Sequence, residues 1–569
     1  MNGTTARHDI SFSRPGALQL ALVFLFATAL LCLGMSAIPS TYDEGIMLTG
    51  GLRTLAGQIP HQNFYANYGP LSYYSLGWLF RLFGVSILAE RILFAIISGL
   101  IVATIYGIAA SYCSRRVARW TVLSIVLLLF GLNSVGGSPI YPVSLLNLLC
   151  VALALAVYIR KLSPWELLGT GMLTGISELI RYDTGVALLG VVTCILAFGI
   201  FVRVPSRRAL LKEFAESLAA YLLGFALITV PALLYYLSRA SFRYFEHDII
   251  VYPSKYYRRA RWLPLPGTEL TLKSQGKIIV YLPLLLAVIA LYIGVRGCLA
   301  ARAKDGKAVN SESMKWNALL ASFGLLGLIM YMKGIVRPTE GQMYLSSVVG
   351  LLLVAVLYEH RGALRRSLAV TIPWLFACSV GVAGVVALRQ LYDFDKQHAF
   401  LPVEMLSQAR GKLIPIESQW CKTPGPLTKG ICFLPDDDRI QTIEFIRSHT
   451  QPSDKLFMGV PHHDRIYAND NITYFATERL PVTKWSHFDP ILQNQLPVQE
   501  EMVQEFEANP PPYIVLDAEF EQNSEPNESS RSSGVTLLDD YLHSHYTLVE
   551  THGMLSIYKR ILAGGPPAQ

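Results

Sequence analysis

Long apolar runs recur along the first two thirds of the chain, and they constrain the possible folds more than any other feature. The first run, Ala17–Ile38, reaches the length of about 20 residues that a membrane-spanning helix needs. It is longer than the apolar core of a cleaved signal peptide, so we interpret it as a retained helix. Only 16% of the 569 residues are charged, against about 25% in soluble domains. The sequence therefore predicts a polytopic α-helical membrane protein.

Further apolar segments bring the number of predicted transmembrane helices to about eleven. After the first run they lie at roughly 89–113, 120–135, 143–159, 165–180, 184–202, 214–237, 277–295, 316–332, 345–358 and 367–388. These segments predict a transmembrane region over residues 1–388, with a long outer loop at 39–88 after the first helix.

Basic residues give these predicted helices an orientation. Clusters of Arg and Lys follow the even-numbered helices, at 115–119, 160–161, 203–212, 296–315 and 361–366. The positive-inside rule assigns that side to the cytoplasm. The N-terminus is then predicted to be cytoplasmic, in a cell inner (cytoplasmic) membrane. An odd number of helices places residues 389–569 on the extracytoplasmic side.

The region 389–569 has the composition of a small α/β domain. Its patterns predict a helix at Asp436–His449, a strand at Lys455–Val460, a helix at Met502–Ala508, a strand at Tyr513–Leu516 and a strand at Met554–Lys559. Whether Cys421 and Cys432 form a disulfide in this region stays open, because spacing alone does not fix the geometry.

The outer loop begins with an acidic pair, Asp43 and Glu44, at the predicted membrane boundary. Carboxylates in such a position are costly unless they are solvated, paired or functional. The spacing from Thr41 to Glu44 is that of a capping box, which offers a structural role for Glu44. Asp43 is either a solvated acid in the first turn of a helix or a general base that acts on a hydroxyl.

Aromatic residues follow the acidic pair in the same loop. Tyr65 and Tyr68 carry an aromatic face with a hydroxyl tip, which suits both the stacking of a sugar ring and a belt at the membrane interface. Both roles stay open for these residues.

Several basic residues fall on the predicted outer face, against the trend of the positive-inside rule. One group lies among aromatic residues, namely Lys255, Arg258, Arg259 and Arg261, and a second consists of Lys333 and Arg337 close to Glu340. Guanidinium groups at this depth suit a phosphate group, although attraction to anionic lipid is the simpler alternative. Arg181 and Asp183 form another polar spot and are close enough in sequence to pair with each other.

Short motifs spread over most of the chain carry a family resemblance. They are Tyr42-Asp43-Glu44-Gly45, Gly57-Gln58-Ile59-Pro60, Gly69-Pro70-Leu71, Arg181-Tyr182-Asp183, Arg261-Trp262-Leu263-Pro264-Leu265-Pro266, Arg337-Pro338-Thr339-Glu340, Tyr474–Pro481 and Tyr558-Lys559-Arg560. Together with the predicted topology, they resemble the GT-C membrane glycosyltransferases. The most similar group is the bacterial branch related to protein O-mannosyltransferases and lipid A aminoarabinose transferases.

This resemblance implies an inverting glycosyltransferase that moves a sugar from a polyprenyl-phosphate donor to an acceptor hydroxyl at the outer face of the membrane. Asp43 becomes the catalytic base, with Glu44 as its catalytic neighbour. The predicted donor-phosphate residues are Lys255, Arg258, Arg259, Arg261, Lys333 and Arg337. The predicted sugar and acceptor pocket contains Tyr65, Tyr68, Arg181, Asp183 and Glu340.

The expected partners are membrane lipids, a polyprenyl-phosphate-linked sugar, and a glycan, lipid or protein acceptor. Nucleic acid is not expected, since the chain has no concentrated basic face in a recognisable module. No resident cofactor or metal is assigned, although a divalent ion at Asp43 and Glu44 stays open. The alternative function is a transporter or flippase for a lipid-linked or envelope glycan, which would place charged residues in the middle of its helices.

Overall fold

The computed structural model describes residues 15–132, 162–267, 275–303, 312–396, 425–427, 431, 433 and 437–561. We call residues 15–396 the membrane part and residues 437–561 the C-terminal part. The predicted transmembrane segment 143–159 lies outside the described residues, as do Cys421 and Cys432.

The described membrane part is built from helices that follow the apolar runs. They are α1 (Ala17–Leu33), α2 (Asp43–Leu55), α3 (Pro70–Phe83), α4 (Ile87–Tyr112), α5 (Arg115–Leu132), α6 (Pro164–Ile180), α7 (Tyr182–Arg203), α8 (Arg207–Leu237), α9 (Phe242–Glu246), α10 (Arg258–Arg261), α11 (Gln275–Ala303), α12 (Glu312–Gly334), α13 (Glu340–Glu359) and α14 (Arg366–Lys396). Two π-helical turns, His247–Val251 and Pro253–Tyr257, connect α9 to α10, and a 3₁₀ turn at Arg361–Ala363 follows α13.

Six helices of the described part are long and apolar enough to cross a membrane, namely α4, α7, α8, α11, α12 and α14. This confirms a polytopic helical membrane protein, while the number of about eleven spans and their orientation remain predictions. The helices pack in pairs, with α1 on α4, α5 on α14, α6 on α8 and α11 on α12. The predicted boundary between residues 388 and 389 falls inside α14.

The outer loop carries α2 into the centre of the molecule. Helix α2 packs against α3 on one side and against a helix of the C-terminal part, Ile472–Thr477, on the other. Glycines permit both close approaches: a Cβ atom at Gly50 would lie 2.2 Å from the ring of Tyr73, and one at Gly45 would lie 2.5 Å from the backbone nitrogen of Ile472. The beginning of α2 is therefore clamped between the two parts of the chain.

The C-terminal part contains a mixed four-stranded sheet with helices around it. In chain order its elements are α15 (Asp438–His449), β1 (Phe457–Gly459), α16 (Ile472–Thr477), α17 (Leu496–Ala508), β2 (Tyr513–Asp517), a 3₁₀ turn (Glu528–Ser530), α18 (Leu537–His545), β3 (Tyr546–His552) and β4 (Leu555–Arg560). The strand order is β1-β2-β4-β3; β1 and β2 run parallel, and β4 runs antiparallel to both of its neighbours.

Alternating side chains bury both faces of the central strand β2. Ile514 and Leu516 pack into one apolar cluster, whereas Val515 packs into another on the opposite face. Each predicted strand and helix of this region overlaps an observed element, and the largest shift is at α17, which begins at Leu496 rather than at Met502. Helices α16 and α18 are not among the predicted elements. Strand β3 is not among the predicted elements: its middle residues are exposed on the sheet edge, so its sequence lacks the apolar alternation that marks a half-buried strand.

Candidate active site

Asp43 is the first residue of α2, and its side chain is exposed to solvent while protein groups surround it on several sides. Its carboxylate accepts no hydrogen bond from the part of the chain that the structure describes. Arg261 and Arg181 of the membrane part act on it electrostatically, as do His487 and Asp489 of the C-terminal part. Desolvation by this surrounding protein raises the pKa of Asp43, and the nearby cations offset only part of the rise. A carboxylate in this state is suited to accept a proton from a hydroxyl.

Glu44 has a different environment from its neighbour. It is buried and forms an ion pair with Arg91 of α4, in which Nε lies 2.7 Å from Oε1 and Nη2 lies 2.9 Å from Oε2. The same guanidinium group donates to the carbonyl of Ile38 at 3.0 Å. Arg91 thus ties the chain before α2 to the first turn of α2, next to Asp43.

The capping arrangement differs in detail from the one that the sequence predicts. The Glu44 carboxylate does reach back to a backbone N–H group before the helix, but that group belongs to Ser40, at 2.8 Å, rather than to Thr41. Tyr42 is the N-cap residue, and its side chain makes no capping hydrogen bond. The reason is that Arg91 draws the carboxylate one residue further back along the chain.

The acidic pair does not fit a divalent metal ion. Both carboxylate oxygens of Glu44 are engaged by Arg91, and the guanidinium groups of Arg261 and Arg181 act on Asp43. Among the described residues, no group of three or more His, Cys, Asp or Glu side chains is arranged to hold a metal. We derive no chemical step through such an ion.

Asp489 is the centre of a buried polar cluster beside Asp43. Its Oδ1 atom lies 3.0 Å from Nη2 of Arg261, and its Oδ2 atom accepts a hydrogen bond from the Tyr65 hydroxyl at 2.9 Å. The Tyr42 hydroxyl donates to the carbonyl of Phe488 at 2.7 Å and lies 3.4 Å from Oδ1 of Asp489. Nε2 of His487 lies 3.4 Å from Oδ2. Burial alone would raise the pKa of Asp489, but His487 and Arg261 outweigh it and hold that pKa well below its usual range. Asp489 is therefore a fixed anion in the site.

A second polar cluster joins α6, α7 and α12. Asp183 binds Nε of Arg181 at 3.1 Å and Nζ of Lys333 at 3.2 Å. Arg181 and Asp183 therefore pair with each other, as their spacing in the sequence suggests. Lys333 also donates to the hydroxyl of Thr184. The guanidinium group of Arg181 lies 5.5 Å from the ring centre of Tyr68. The structure therefore brings together Arg181, Asp183, Lys333 and Tyr68, which the sequence predicts for the site.

Two of the predicted phosphate-binding arginines are occupied by carboxylates of the C-terminal part. Arg337 forms a bidentate pair with Glu525, in which Nη1 lies 2.9 Å from Oε2, and Tyr467 donates to the same carboxylate at 3.0 Å. Arg259 binds Glu528, with Nη2 and Oε2 2.7 Å apart, and its side chain is largely exposed. These contacts tie the outer basic loops of the membrane part to one loop of the C-terminal part.

The remaining predicted site residues take separate positions. Lys255 and Arg258 are exposed on the surface. Tyr65 is buried against Asp489, in the core that joins the two parts, rather than open to a sugar ring. Helix α13 begins at Glu340, whose side chain lies outside what the structure describes.

A buried aromatic cluster surrounds His61, which takes a left-handed backbone conformation with φ of 59°. Its Nδ1 atom lies 2.8 Å from Oδ2 of Asp248, and its Nε2 atom lies 2.8 Å from the hydroxyl of Tyr182. The rings of Tyr236 and Phe245 pack edge-on against the imidazole. This cluster closes one end of a cavity in the membrane part.

The cavity has a volume of about 530 Å³ and lies between α3, α6 and α8. Most of its wall is aromatic or aliphatic, and the polar residues in it are few. It is lined by Pro70, Leu71, Tyr74, Trp78, Glu178, Leu179, Tyr182, Phe225, Thr229, Ala232, Leu233, Tyr235, Tyr236 and Phe245. Its volume falls within the range of about 300–1,000 Å³ that small-molecule sites usually have.

Sequence reasoning missed Asp489 and His487, the two C-terminal residues that act on Asp43. They lie in the segment Trp485–Pro490, which places a serine, a histidine and an aspartate among aromatic residues. That combination in a loop was the available signal, because buried polar groups in loops often serve a site. Nothing in the local pattern indicated that this loop docks beside α2.

No protein-family model matches this sequence, and no curated protein matches it. Solved structures do resemble it. The structure of ArnT from Cupriavidus metallidurans bound to undecaprenyl phosphate is 13% identical, and the match covers 97% of this chain and 100% of that chain with a TM-score of 0.50. This likeness shows the fold, and it confirms the GT-C fold that the motifs predict.

Two further solved structures have lower TM-scores. The archaeal oligosaccharyltransferase AglB from Archaeoglobus fulgidus, in complex with an inhibitory peptide and a dolichol-phosphate, is 10% identical over 96% of this chain and 75% of that chain, with a TM-score of 0.49. The arabinofuranosyltransferase AftD from Mycobacteria is 14% identical over 96% of this chain and 40% of that chain, with a TM-score of 0.46.

Proposed function

We propose that the protein is an inverting glycosyltransferase that moves a sugar from a polyprenyl-phosphate donor to an acceptor hydroxyl at the outer face of the cytoplasmic membrane. The observation that carries this proposal is the Asp43 carboxylate, which is exposed, without a hydrogen bond from the described residues, and set among guanidinium groups in a GT-C fold. The structure of ArnT with undecaprenyl phosphate supports a lipid phosphate as the donor carrier.

Asp43 acts as the general base in this proposal. The acceptor hydroxyl gives its proton to the Asp43 carboxylate as its oxygen attacks the anomeric carbon of the sugar. A new carbon–oxygen bond forms, the bond from that carbon to the phosphate oxygen breaks, and polyprenyl phosphate leaves with the electron pair. Attack opposite to the leaving group inverts the anomeric configuration.

The leaving phosphate gains negative charge during this step, and preorganised cations would stabilise it. Arg181 uses Nε for Asp183, and Arg261 uses Nη2 for Asp489 and Tyr42. The other N–H groups of these two guanidinium groups form no hydrogen bond with any described side chain. We therefore assign Arg181 and Arg261 as the main phosphate contacts. Lys255 and Arg258 are exposed cations that would attract the donor.

The cavity between α3, α6 and α8 is the candidate site for the lipid chain of the donor. Its apolar wall suits a polyprenyl chain, and Tyr182 links it to the polar cluster because that residue lies between Arg181 and Asp183. A donor that lies along this path would place its lipid in the cavity and its phosphate beside Arg181.

The proposal is tested by reconstituting the purified protein in lipid and supplying a panel of polyprenyl-phosphate sugars. We expect transfer or slow hydrolysis of at least one donor by the wild type, and loss of this activity in Asp43→Asn. Asp540→Asn is the matched control, since it makes the same change at an exposed carboxylate of α18. Movement of intact donor across the membrane without sugar transfer would contradict the proposal and support a flippase.

A further inference from the structure

The loop that carries Asp489 is built into the C-terminal part but reaches the membrane part. The backbone N–H group of Asp489 donates to Oε1 of Gln493 at 2.9 Å, and that of Phe488 donates to Oδ1 of Asn469 at 3.0 Å. Both side-chain acceptors are buried. Contacts within the C-terminal part therefore fix the backbone of this loop, and with it the position of Asp489.

Three of the groups that bind Asp489 belong to the membrane part. Arg261, Tyr65 and Tyr42 come from α10 and from the outer loop, and each has a polar atom within 3.4 Å of the carboxylate. The Asp489 side chain is almost fully buried. A buried carboxylate is stable only when it is paired and hydrogen-bonded, and removal of its charge would leave Arg261 without its ion-pair partner.

The contacts of Asp489 affect Arg261 and Asp43, the two groups that the proposed reaction uses. Arg261, whose carboxylate partner is Asp489, also donates to the Tyr42 hydroxyl at 3.0 Å and lies over the Tyr42 ring, 5.9 Å from its centre. Tyr42 immediately precedes Asp43 in the chain. Asp489 thus holds the orientation of the Arg261 guanidinium group, and this group in turn donates to the hydroxyl of Tyr42, the residue before the base.

We propose that Asp489 is a positioning residue of the active site: it orients Arg261, and through Arg261 it acts on Tyr42, beside Asp43, so the C-terminal part supplies an essential piece of the site. This inference rests on the proposed glycosyltransfer, because Arg261 and Asp43 have their roles in that reaction. Asp489 does not touch the reacting atoms; it acts through the residues that do.

The negative charge of Asp489 also has a measurable effect on Asp43. The charged and titratable groups that face Asp43 are Arg261, Arg181, His487 and Asp489, together with the hydroxyls of Tyr42 and Tyr68. Asp489 opposes ionisation of Asp43 and partly neutralises Arg261, which favours it. Loss of the Asp489 charge should therefore lower the pKa of Asp43, and the acid limb of the pH–rate profile should move to lower pH.

The test compares Asp489→Asn with the wild type in the reconstituted transfer assay. Asn keeps the shape and one acceptor oxygen but loses the charge. We therefore expect kcat/KM to fall by up to about 100-fold, since a misplacement of about 1 Å in an active site can cost that much. We also expect the acid limb to shift to lower pH. Asp539→Asn is the matched control: Asp539 is also a buried carboxylate, bound to His463 at 2.6 Å, within the C-terminal part. The acid limb of the pH–rate profile of Asp539→Asn should not move.

Further variants separate the causes. The shift should persist when Asp489→Asn is made in a His487→Gln background, which excludes His487 as the source of the shift. Asp489→Glu keeps the charge and should leave the acid limb in place. Tyr65→Phe removes one hydrogen bond to Asp489 and nothing from the reacting groups, so it should lower kcat/KM even if Asp489→Asn does not fold.

The outcomes distinguish this inference from the proposed function. An unmoved acid limb in a folded Asp489→Asn protein, with the wild type active, would overturn the positioning role alone. An unchanged kcat/KM in Tyr65→Phe would overturn it as well. A wild type that transfers no sugar from any donor would instead overturn the proposed function.

Discussion

Replacing Glu44 by Gln should destabilise the protein strongly, whereas the same type of change at its neighbour Asp43 should not. Glu44 and Arg91 expose only 1% and 3% of their side chains, and they are joined by two short contacts. Asp43 is exposed and receives no hydrogen bond from the described residues. Variants of these two adjacent carboxylates can therefore distinguish a structural role from a catalytic one.

The magnitude follows from what remains after the change. Glu44→Gln keeps an acceptor for the backbone N–H group of Ser40 but removes the carboxylate that pairs with the buried Arg91 guanidinium group. Breaking a buried ion pair in this way costs about 3–5 kcal/mol of the free energy of unfolding. Asp43→Asn removes no contact and should change it by less than about 0.5 kcal/mol.

Unfolding of both variants can be followed in lipid nanodiscs by denaturant titration, with transfer activity measured per folded molecule. We expect Glu44→Gln to lose stability and retain activity in the folded fraction, and Asp43→Asn to show the reverse. A cycle with Arg91→Met adds a check, because the double variant should lose less stability than the sum of the single variants. A stable but inactive Glu44→Gln protein would refute the structural assignment of Glu44.

Three further predictions concern the regions around the site. Gly45→Ala should lower the free energy of unfolding by about 1–3 kcal/mol, measured by thermal unfolding, because the added Cβ would lie 2.5 Å from the backbone nitrogen of Ile472; an unchanged midpoint would show that α2 can shift. Ala232→Trp should raise KM about tenfold for long-chain donors, since an indole that displaces roughly 60 Å² of lipid contact removes about 1.5 kcal/mol. A short-chain donor analogue should be unaffected, and equal effects on both would place the lipid elsewhere. Glu525→Gln should tighten equilibrium binding of polyprenyl phosphate by about two- to fivefold by releasing Arg337, and unchanged binding would exclude Arg337 as a donor contact.

The helices of the membrane part could be predicted because each one corresponds to a continuous apolar run in the sequence. An apolar run of sufficient length has few alternatives to a buried or membrane-spanning helix, so α4 and α7 follow from the sequence within about two residues. Helix α8 begins earlier than predicted, at Arg207, because its first turns are charged. Strand β3 could not be predicted in this way, since an exposed edge strand has no apolar periodicity. Its place is set by hydrogen bonds to β4.

The candidate site was only half predictable for a similar reason. Asp43 stands out locally, as an acid at the start of a helix next to an apolar run. Its neighbours Asp489 and His487 lie more than 400 residues further along the chain, and only the docking of the C-terminal part brings them close. The sequence also could not show that Arg337 and Arg259 meet carboxylates, because their partners lie in a loop without a regular pattern.

The central claim is that Asp43 removes the proton from the acceptor hydroxyl, and one measurement tests it most directly. Donor binding and the transfer rate are measured separately for the wild type and Asp43→Asn in the same lipid. The account predicts that donor affinity stays within about twofold, since the phosphate contacts remain, while kcat falls by about 10²- to 10⁴-fold, the usual contribution of a general base. A folded Asp43→Asn protein that transfers sugar at the wild-type rate would contradict it.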